Sequence, residues 1–393
     1  MAKKKKKKNL FKTIFIVFLF LLNSVVATAL LLSFLAKFIP PTTSIVVTLC
    51  GLAFPYLLFV NFGFVILWLF IRYKFSFISL IIILLNVNNI DRYYQMRGTD
   101  KPNPCDNCIK VMSYNVKLFG LYNSNNAQAQ IKERNKIFRF IREEQPDIVC
   151  FQEYFVEKSN KLDFETTDSI FSILNIKKRS PRANAGFYRT HFPIHNNEYF
   201  FGVAIFSKYR IINSGFIPLS DSITTNSAMF ADIRYKNDTI RIYNMHLESY
   251  RINPKELDIL EMLNPNILNT PQFNKKARKL SNLMYRAYKQ RGEQAKIIRS
   301  HIDSCRHSII ICGDFNDPPN SYTAHKIGKG FNDSFRESGA GRGITYHDDL
   351  FPHYRIDYIL HDKRYNSYGH TVHNNITVSD HYPVSVFISV KRR

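Results

Sequence analysis

The sequence predicts an α+β fold, a sandwich of two β-sheets with helices on the outside, preceded by an N-terminal helical membrane segment. Two observations support this prediction. Long apolar stretches without any acidic residue fill the first 90 residues. Beyond them, short apolar runs of strand length alternate with amphipathic helical stretches and hairpin-like strand pairs. The 393 residues suffice for a membrane segment and one domain of about 290 residues.

Three uncharged stretches predict that residues 1–90 form a membrane anchor with two to three transmembrane helices. Thr13–Ala36 provides 24 uncharged residues, enough to cross a hydrocarbon core of about 30 Å. The second helix is predicted at Ser44–Ile71, with Pro55 as a kink. The third stretch, Phe75–Ile90, has 16 residues and reaches only about 24 Å as a helix. A cleaved signal peptide does not fit, because the first run is too long and further runs follow.

Basic residues predict the orientation of this anchor. Lys3–Lys8 keep the N-terminus in the cytoplasm, and Arg72 and Lys74 hold the end of the second helix on the same side. If the third stretch crosses the bilayer, the following domain lies outside the cytoplasm. If that stretch lies in the interface, the domain is cytoplasmic. We expect three crossings, and therefore a multi-pass protein of the cell membrane with an extracytoplasmic domain.

The net charge and the cysteine content exclude fewer classes of protein than the long apolar stretches do. Residues 1–90 carry ten basic residues and no acidic one, so the rest carries 44 basic and 31 acidic residues, a net charge of +13. This charge favours a polyanionic partner such as nucleic acid, anionic lipid or a phosphorylated metabolite, or it serves solubility alone. Cys105 and Cys108 form a C-x-x-C pair that is half a zinc site, and a local disulfide or two idle thiols explains it better.

The remaining sequence predicts a linker and one mixed domain. Residues 91–108 are polar, contain Pro102 and Pro104, and are interpreted as a linker to a domain over residues 109–393. Helices are expected at Ala127–Glu144 and, long and basic, at Lys275–Ser304. Apolar or alternating runs predict strands at Lys110–Asn115, Asp147–Phe151, Tyr199–Ser207, Ala228–Tyr235, Thr239–His246, Ser308–Gly313, Ile356–Leu360 and Tyr382–Ser389.

Carboxylates, imidazoles and amides stand at or near the ends of several of these strands. They are Asn115 in V-M-S-Y-N, Glu153 in I-V-C-F-Q-E, His246 after I-Y-N-M, Asp314 and Asn316 in G-D-F-N-D, Asp357 in Y-R-I-D-Y, and Asp380 and His381 in S-D-H-Y-P-V. Such groups are costly to bury alone. They are tolerated where they converge on one metal ion and one phosphate group.

Taken singly, most of these residues have a plain structural explanation. Glu153 would cap the next segment, Asp314 would begin a turn, His246 would be a hydrogen-bonded core histidine, Asp357 would pair with Arg355, and Asp380 would be a helix N-cap. All of them together, in this order, favour a single site instead.

This set of motifs resembles the endonuclease/exonuclease/phosphatase superfamily, which includes DNase I, apurinic endonucleases, neutral sphingomyelinases and inositol polyphosphate phosphatases. The resemblance covers roughly Lys110–Val390. Each short motif is weak alone, but Q-E, G-D-F-N and S-D-H-Y-P-V in this order are specific together. The family implies a DNase I-like four-layer α/β/β/α sandwich, with the active site at one edge of the two packed sheets.

The resemblance implies three metal-binding residues. Glu153 would be the principal ligand of Mg²⁺ or Mn²⁺, a hard cation that prefers carboxylate oxygen. Asn115 would add its amide oxygen, and Asp380 would supply a further carboxylate. The metal ion would offset the charge that develops on the phosphoryl oxygens.

The resemblance also implies five catalytic residues. Asp314 would orient or deprotonate the attacking water, and Asn316 would hold a phosphate oxygen. His381, positioned by Asp357, would present a cation to the phosphate. His246 matches the N-x-H-L of the DNase I and sphingomyelinase branches, where it would donate to the phosphate or protonate the leaving oxygen. The apurinic-endonuclease branch generally lacks this histidine, which argues against abasic-site repair.

The sequence thus predicts a divalent-metal-dependent phosphoester hydrolase of phosphodiesterase or nuclease type, anchored to a lipid bilayer through residues 10–90. As a nuclease, it would bind the nucleic-acid backbone through the basic residues of the long helix; alternatively these residues form a solvated outer face. They are Lys275, Lys276, Arg278, Lys279, Arg286, Lys289, Arg291, Lys296 and Arg299.

Two alternatives to a nuclease remain open. A membrane-proximal phospholipid or sphingomyelin phosphodiesterase or phosphatase would expose aromatic loops, with Phe187, Tyr188, Phe192 and Phe351 as candidates. A catalytically silent membrane-tethered binding module would lack essential residues of the site, and none of the expected ones is missing. No protein partner is inferred.

Overall fold

The computed structural model describes residues 2–100, 105, 107–157, 164–176, 199–219, 226–250, 270–347 and 353–390. The candidate aromatic residues Phe187, Tyr188, Phe192 and Phe351, as well as Pro102 and Pro104, lie outside the described residues. The chain divides into two compact units. One consists of Met1–Asp91 and Asn320–His325, and the other of Arg92–Pro319 and Lys326–Arg393.

Residues 2–90 of the first unit are mostly helical. The helices are α1 (Ala2–Leu35), α2 (Ile45–Leu52), α3 (Phe54–Ile71), α4 (Ser76–Leu85) and α5 (Val87–Ile90). Pro55 stands in the first turn of α3. Because proline cannot continue a preceding helix, it separates α2 from α3 instead of kinking one long helix. Leu10–Leu35 and Phe54–Ile71 are long and apolar enough to cross a membrane, with mean hydropathies of 2.6 and 2.2.

A buried hydrogen-bond network joins α1, α3 and α4. The indole of Trp68 donates to Asn23 Oδ1 at 2.6 Å. The amide of Asn23 donates to Ser79 Oγ at 2.7 Å, and Ser79 donates to Asn61 Oδ1 at 2.9 Å. Buried amides are costly unless they are paired, so this network holds the three helices in one arrangement.

The third apolar stretch runs alongside α1. At one end, the ring of Phe75 packs against Phe20 and Trp68, with centroid distances of 5.0 and 5.1 Å. At the other end, Lys37 Nζ donates to Asn89 Oδ1 at 3.2 Å. Residues 75–89 therefore extend from the level of Phe20 to the level of Lys37, past the end of α1.

The second unit contains two large sheets. The six-stranded sheet has the order β5-β6-β7-β8-β11-β9 and the five-stranded sheet the order β12-β13-β2-β3-β4. Only β7–β8 and β2–β3 are parallel among these pairs. The strands are β1 (Tyr94–Gln95), β2 (Cys108–Asn115), β3 (Ile148–Glu157), β4 (Tyr199–Ser207), β5 (Ile211–Ile217), β6 (Ser227–Tyr235), β7 (Asp238–His246), β8 (Ser308–Asp314), β9 (Phe331–Asp333), β10 (Gly341–Arg342), β11 (Asp357–Asp362), β12 (Asn366–Val372) and β13 (Val384–Ser389).

Helices cover the outer face of each sheet. Helices α6 (Ala127–Glu144) and α7 (Thr167–Ile173) pack on the five-stranded sheet. The long α8 (Pro271–Asp303) lies on the six-stranded sheet, where His301 Nδ1 is 2.9 Å from Tyr243 Oη. Helices α9 (Tyr322–Gly328) and α10 (Ser334–Ser338) are short. The order helix, sheet, sheet, helix confirms the predicted four-layer α/β/β/α sandwich.

The core between the two sheets is made of aliphatic side chains from both. Ile109 and Val111 of β2 meet Ile242 of β7 within one buried cluster. Cys150 and Cys312 lie in the same cluster, fully buried, and burial raises the pKa of the Cys150 thiol. Both cysteines therefore serve as small apolar core residues.

The helices and strands predicted for residues 109–393 all exist, with boundaries shifted by a few residues, but the single helix predicted at Ser44–Ile71 is two helices, α2 and α3. The sequence did not predict β5 and β12. Cys105 and Cys108 form a disulfide, as one of the two interpretations expected. The predicted linker over residues 91–108 is not wholly irregular, because Tyr94–Gln95 pairs with Gly341–Arg342 as the short antiparallel ladder β1–β10.

Candidate active site

Strand pairing brings the polar strand ends to one edge of the sandwich. Parallel β7 and β8 place His246 opposite Asp314, and antiparallel β11 places Asp357 opposite Asp314 on the other side. In the facing sheet, parallel β2 and β3 place Asn115 opposite Gln152. Since the carboxyl ends of parallel strands meet at the same edge, both sheets contribute to one cluster.

Asp314 is the centre of this cluster and is fully buried. Its Oδ2 atom lies 3.1 Å from Asn115 Nδ2, 3.7 Å from His246 Nε2 and 3.6 Å from His381 Nε2. Its Oδ1 atom accepts the backbone N–H of Asn316 at 2.8 Å. Asp314 therefore does begin a turn, as the plain structural explanation expected. The same carboxylate also belongs to the polar cluster.

A β-bulge directs Glu153 toward this cluster. The register of β3 against β4 shifts between Phe151 and Tyr154, and Glu153 has a φ of 50°. A bulge of this kind re-aims a side chain that regular pairing would direct elsewhere. Glu153 Oε1 lies 3.4 Å from Asn115 Nδ2 and 3.8 Å from His246 Nε2, with the side chain about one-third exposed.

Gly313 allows β7 and β8 to approach each other directly before His246 and Asp314. Its φ is 145°, and a Cβ atom there would lie 2.2 Å from the carbonyl oxygen of Met245. No L side chain fits at that distance, so the spacing of these two strand ends depends on glycine.

A carboxylate orients His381. Its Nδ1 atom is 2.9 Å from Asp357 Oδ2, and both side chains are buried. The Thr345 hydroxyl accepts the backbone N–H of Asp357 at 3.1 Å. Arg355 pairs with Asp333 through two contacts of 2.9 and 2.6 Å. The alternative explanation, an Asp357–Arg355 pair, is therefore excluded.

The buried charges shift each other's pKa values. Burial raises the pKa of Asp314 to about 6, and the nearby Asp357 charge adds to that rise. Burial alone lowers the pKa of His381, but the carboxylates of Asp357 and Asp314 outweigh it and raise this pKa to about 10. Burial and the like charge of Asp380 raise the pKa of Glu153. At neutral pH, His381 is therefore an imidazolium, and it lies beside Asp314, whose pKa is close to neutral.

Asp380 reaches the cluster together with a lysine that the sequence did not single out. Lys117 Nζ lies 2.7 Å from Asp380 Oδ2. Burial opposes ionisation of Asp380, but the charges of His381 and Lys117 outweigh it and lower the pKa of Asp380. Asn115 Oδ1 accepts the backbone N–H of Lys117 at 3.1 Å, so its amide nitrogen, not its oxygen, faces Glu153 and Asp314.

Models of two known families together match most of the chain. The model described as "Endonuclease/Exonuclease/phosphatase family" matches residues 112–381. The chain belongs to this family. Members of the family are phosphoester hydrolases and generally use divalent metal ions. A second model, described as "Domain of unknown function (DUF8431)", matches residues 14–93. No curated protein matches the chain.

Solved structures of endonuclease/exonuclease/phosphatase proteins resemble the chain at low identity. The proteins from Beutenbergia cavernae, Leptotrichia buccalis and Bacteroides thetaiotaomicron are 16%, 19% and 17% identical and each match covers 72% of this chain. The matches cover 72%, 100% and 98% of those chains, with TM-scores of 0.49, 0.47 and 0.48. Membership of the family rests on the family match.

Two buried amides beside the site connect the sheets. Gln152 Nε2 donates to Asn244 Oδ1 at 2.7 Å, and Asn244 Nδ2 donates to the carbonyl oxygens of Phe151 and Ala204 at 2.8 and 2.9 Å. We call Gln152 and Asn244 the amide clasp. Gln152 directly precedes Glu153 on β3, and Asn244 lies two residues before His246 on β7. An amide inside an apolar run was the sequence signal that would have revealed each of them.

Arg291 of α8 supports the loops that follow β7 and β8. It is fully buried, donates to the carbonyl oxygen of Glu248 at 2.7 Å, and lies 3.5 Å from Asp317 Oδ2. Its guanidinium stacks over Tyr250 and Tyr288, 4.5 Å from each ring centroid. The expectation that Arg291 belongs to an exposed nucleic-acid-binding face is therefore wrong. Arg291 stands among other basic residues of the helix, so the sequence gave no indication that its side chain is buried.

Proposed function

We propose that residues 109–393 form a divalent-metal-dependent phosphodiesterase of nuclease type, held at a membrane by residues 10–90. The observation that carries the proposal is the buried Asp314 carboxylate. It lies between His246 and the His381–Asp357 pair, while Glu153 stands beside it as a further carboxylate. This combination of carboxylates and imidazoles suits acid–base chemistry on a phosphate group.

Glu153 and Asp380 are the residues that would hold Mg²⁺ or Mn²⁺, and Asn115 would add its amide oxygen after a flip of the side-chain amide, because its nitrogen faces Glu153 in this structure. The buried group Asp314, Asp357 and His381 also offers ligand atoms within 4.8 Å of one another. However, an imidazolium has no free lone pair for a metal ion, and the raised pKa of His381 keeps it protonated. Glu153 has hard oxygen donors, and a cation would relieve the repulsion from Asp380 that raises its pKa.

The protein side chains would then divide the proton transfers of hydrolysis. When bound, the metal ion polarises the phosphoryl oxygen and neutralises charge. Asp314 takes a proton from the water whose oxygen attacks phosphorus. His246 gives a proton to the leaving oxygen as the P–O bond breaks. His381, held by Asp357, and Asn316 bind phosphate oxygens. Asp314 is poised for its role because its pKa of about 6 leaves it ionised at neutral pH.

The basic first half of α8 supports a nucleic-acid substrate. Lys275, Arg278, Lys279 and Arg286 line one depression on this helix, and residues 271–286 include no buried position among those described. A row of cations on an exposed helix binds a phosphate backbone through counterion release. The membrane segment supports the alternative substrate, a phospholipid or sphingomyelin headgroup.

The test is a parallel assay of the full chain in maltoside micelles. Bis-p-nitrophenyl phosphate, plasmid DNA and phospholipid vesicles are each incubated with Mg²⁺, with Mn²⁺ and with EDTA. We expect metal-dependent turnover that Asp314→Asn reduces by at least about 10³-fold, because both the base and the centre of the cluster are changed. The preferred substrate distinguishes the nuclease from the lipid enzyme.

Asp303→Asn is the matched control, because it removes an exposed carboxylate at the end of α8. It should leave turnover unchanged. A folded, metal-loaded protein that hydrolyses none of the three substrates would contradict the proposal and favour a silent membrane-tethered binding module.

The structure offers two arguments for an extracytoplasmic catalytic domain, which we also propose. Residues 75–89 extend from the level of Phe20 to that of Lys37, so the third stretch covers the same depth as the second half of α1. The Cys105–Cys108 disulfide suits an oxidising compartment outside the cytoplasm. With residues 75–90 as a third crossing and a cytoplasmic N-terminus, the proposed topology puts residues 109–393 on that side.

A further inference from the structure

A left-handed turn follows β2 at the candidate site. Lys117, Leu118 and Phe119 have φ values of 44°, 54° and 59°, a conformation that side chains with a Cβ atom rarely adopt in succession. The fully buried ring of Phe119 packs against Phe138 and Tyr154 and fixes the far end of the turn. Core packing thus holds an unfavourable backbone in place.

The near end of this turn belongs to the site. The backbone N–H of Lys117 donates to Asn115 Oδ1 at 3.1 Å, and the ammonium group lies 2.7 Å from Asp380 Oδ2. The Lys117 side chain is 38% exposed, against 19% for Asp380. The cation therefore stands at the mouth of the cluster, between a carboxylate and the solvent from which a substrate enters. Unfavourable backbone of this kind is concentrated at functional sites.

We propose that Lys117 is a substrate-binding residue whose ammonium group binds a phosphate oxygen when the metal ion is in place. This inference rests on the proposed function, since it assumes the same site and substrate class. An ammonium group is a compact point charge with three donors and suits a phosphate oxygen of any geometry. It need not leave Asp380, because the other oxygen of that carboxylate, which accepts the Ser379 hydroxyl at 3.3 Å, has a second lone pair for the metal ion.

Charge balance predicts two opposite effects of Lys117. Without substrate, its ammonium competes with a divalent cation for Asp380, because both are attracted to one carboxylate. With a metal ion on Glu153 and Asp380, that carboxylate attracts the lysine less, and the phosphate supplies a new anionic partner. A residue that only supports Asp380 would instead help metal binding and phosphate binding alike.

The test uses the full chain in maltoside micelles, which contain no phosphate. Variants Lys117→Met and Lys117→Arg are compared with Lys136→Met, a matched control whose ammonium pairs with Glu133 at the same 2.7 Å on α6. Mn²⁺ affinity is measured by electron paramagnetic resonance, and binding of inorganic phosphate to the Mn²⁺-loaded protein by calorimetry. Neither measurement requires turnover.

We expect Lys117→Met to weaken phosphate binding about tenfold or more, while Mn²⁺ binds as tightly as before or a few-fold tighter. Lys117→Arg should retain phosphate binding to within a few-fold, and Lys136→Met should change neither affinity. The inference is overturned if phosphate binding is absent in the wild type, if it is unchanged in Lys117→Met, or if both affinities fall together. If the binding results hold while no phosphoester is hydrolysed, only the proposed function fails.

Discussion

Asp314 and His381 share one buried environment, and this environment sets their pKa values far apart. Burial raises the pKa of the Asp314 carboxyl to about 6, and two carboxylates raise that of the His381 imidazole to about 10. Between these values the carboxylate is ionised and the imidazole is protonated. Pairs of groups with such separated pKa values divide the roles of base and cation in active sites.

These pKa values predict the pH dependence of hydrolysis. As the proposed base, Asp314 would act only when deprotonated, so kcat/KM should rise as the pH increases through about 6. In its proposed role, His381 would bind phosphate only when protonated, so kcat/KM should fall as the pH increases through about 10. Asp357→Asn removes the charge that raises the His381 pKa and should move the alkaline limb to lower pH. A pH–rate profile of both proteins measures the shift, and an alkaline limb that stays in place would refute the role of Asp357.

Residues in recognisable motifs were predictable from the sequence, whereas their supporting residues were not. Asp314, His381 and Glu153 stand at the ends of apolar runs, where a charged group has no ordinary place. Lys117 follows a strand in a segment that contains Leu118 and Phe119. Nothing in those residue types predicts a left-handed turn, because core packing imposes it against local preference.

At the scale of elements, buried strands were predictable, including the edge strand β4, and largely exposed edge strands were not. Strand β8 is buried along its whole length and reads as one apolar run. Strands β5 and β12 lie at the edges of their sheets, and much of each strand is exposed or half-buried. Their sequences, I-I-N-S-G-F-I and N-S-Y-G-H-T-V, therefore lack an alternation that would mark a strand.

The close approach of β7 and β8 makes Gly313 the most sensitive position of the two strands. Gly313→Ala should destabilise the protein by about 3 kcal/mol, because a Cβ atom would lie 2.2 Å from the Met245 carbonyl oxygen. Gly330→Ala is the matched control: its φ is also positive, at 92°, but a Cβ atom there meets nothing within 4 Å. It should cost about 1 kcal/mol. Urea denaturation followed by circular dichroism measures both; equal losses would show that backbone conformation, not strand spacing, sets the cost.

For the whole molecule, the number of membrane crossings determines the side on which the catalytic domain lies. Alkaline phosphatase fused after residue 393 should be active, because three crossings place it outside the cytoplasm. Green fluorescent protein fused after residue 393 should not fluoresce. The same reporters fused after Lys74 should give the reverse result, since that residue follows α3, whose end would lie in the cytoplasm in the proposed topology. A fluorescent fusion after residue 393 would show that residues 75–90 do not cross.

The amide clasp has a consequence for the behaviour of the protein on heating. Gln152 and Asn244 join the two sheets beside Glu153 and His246, the residues on which those sheets meet at the site. Glu153 and His246 both lie within strands, β3 and β7, whose neighbouring clasp residues are buried between the sheets. The positions of Glu153 and His246 should therefore persist until the sandwich itself opens, and we expect warming to abolish activity and tertiary structure in one transition. In this protein, thermal inactivation reports the stability of the whole domain.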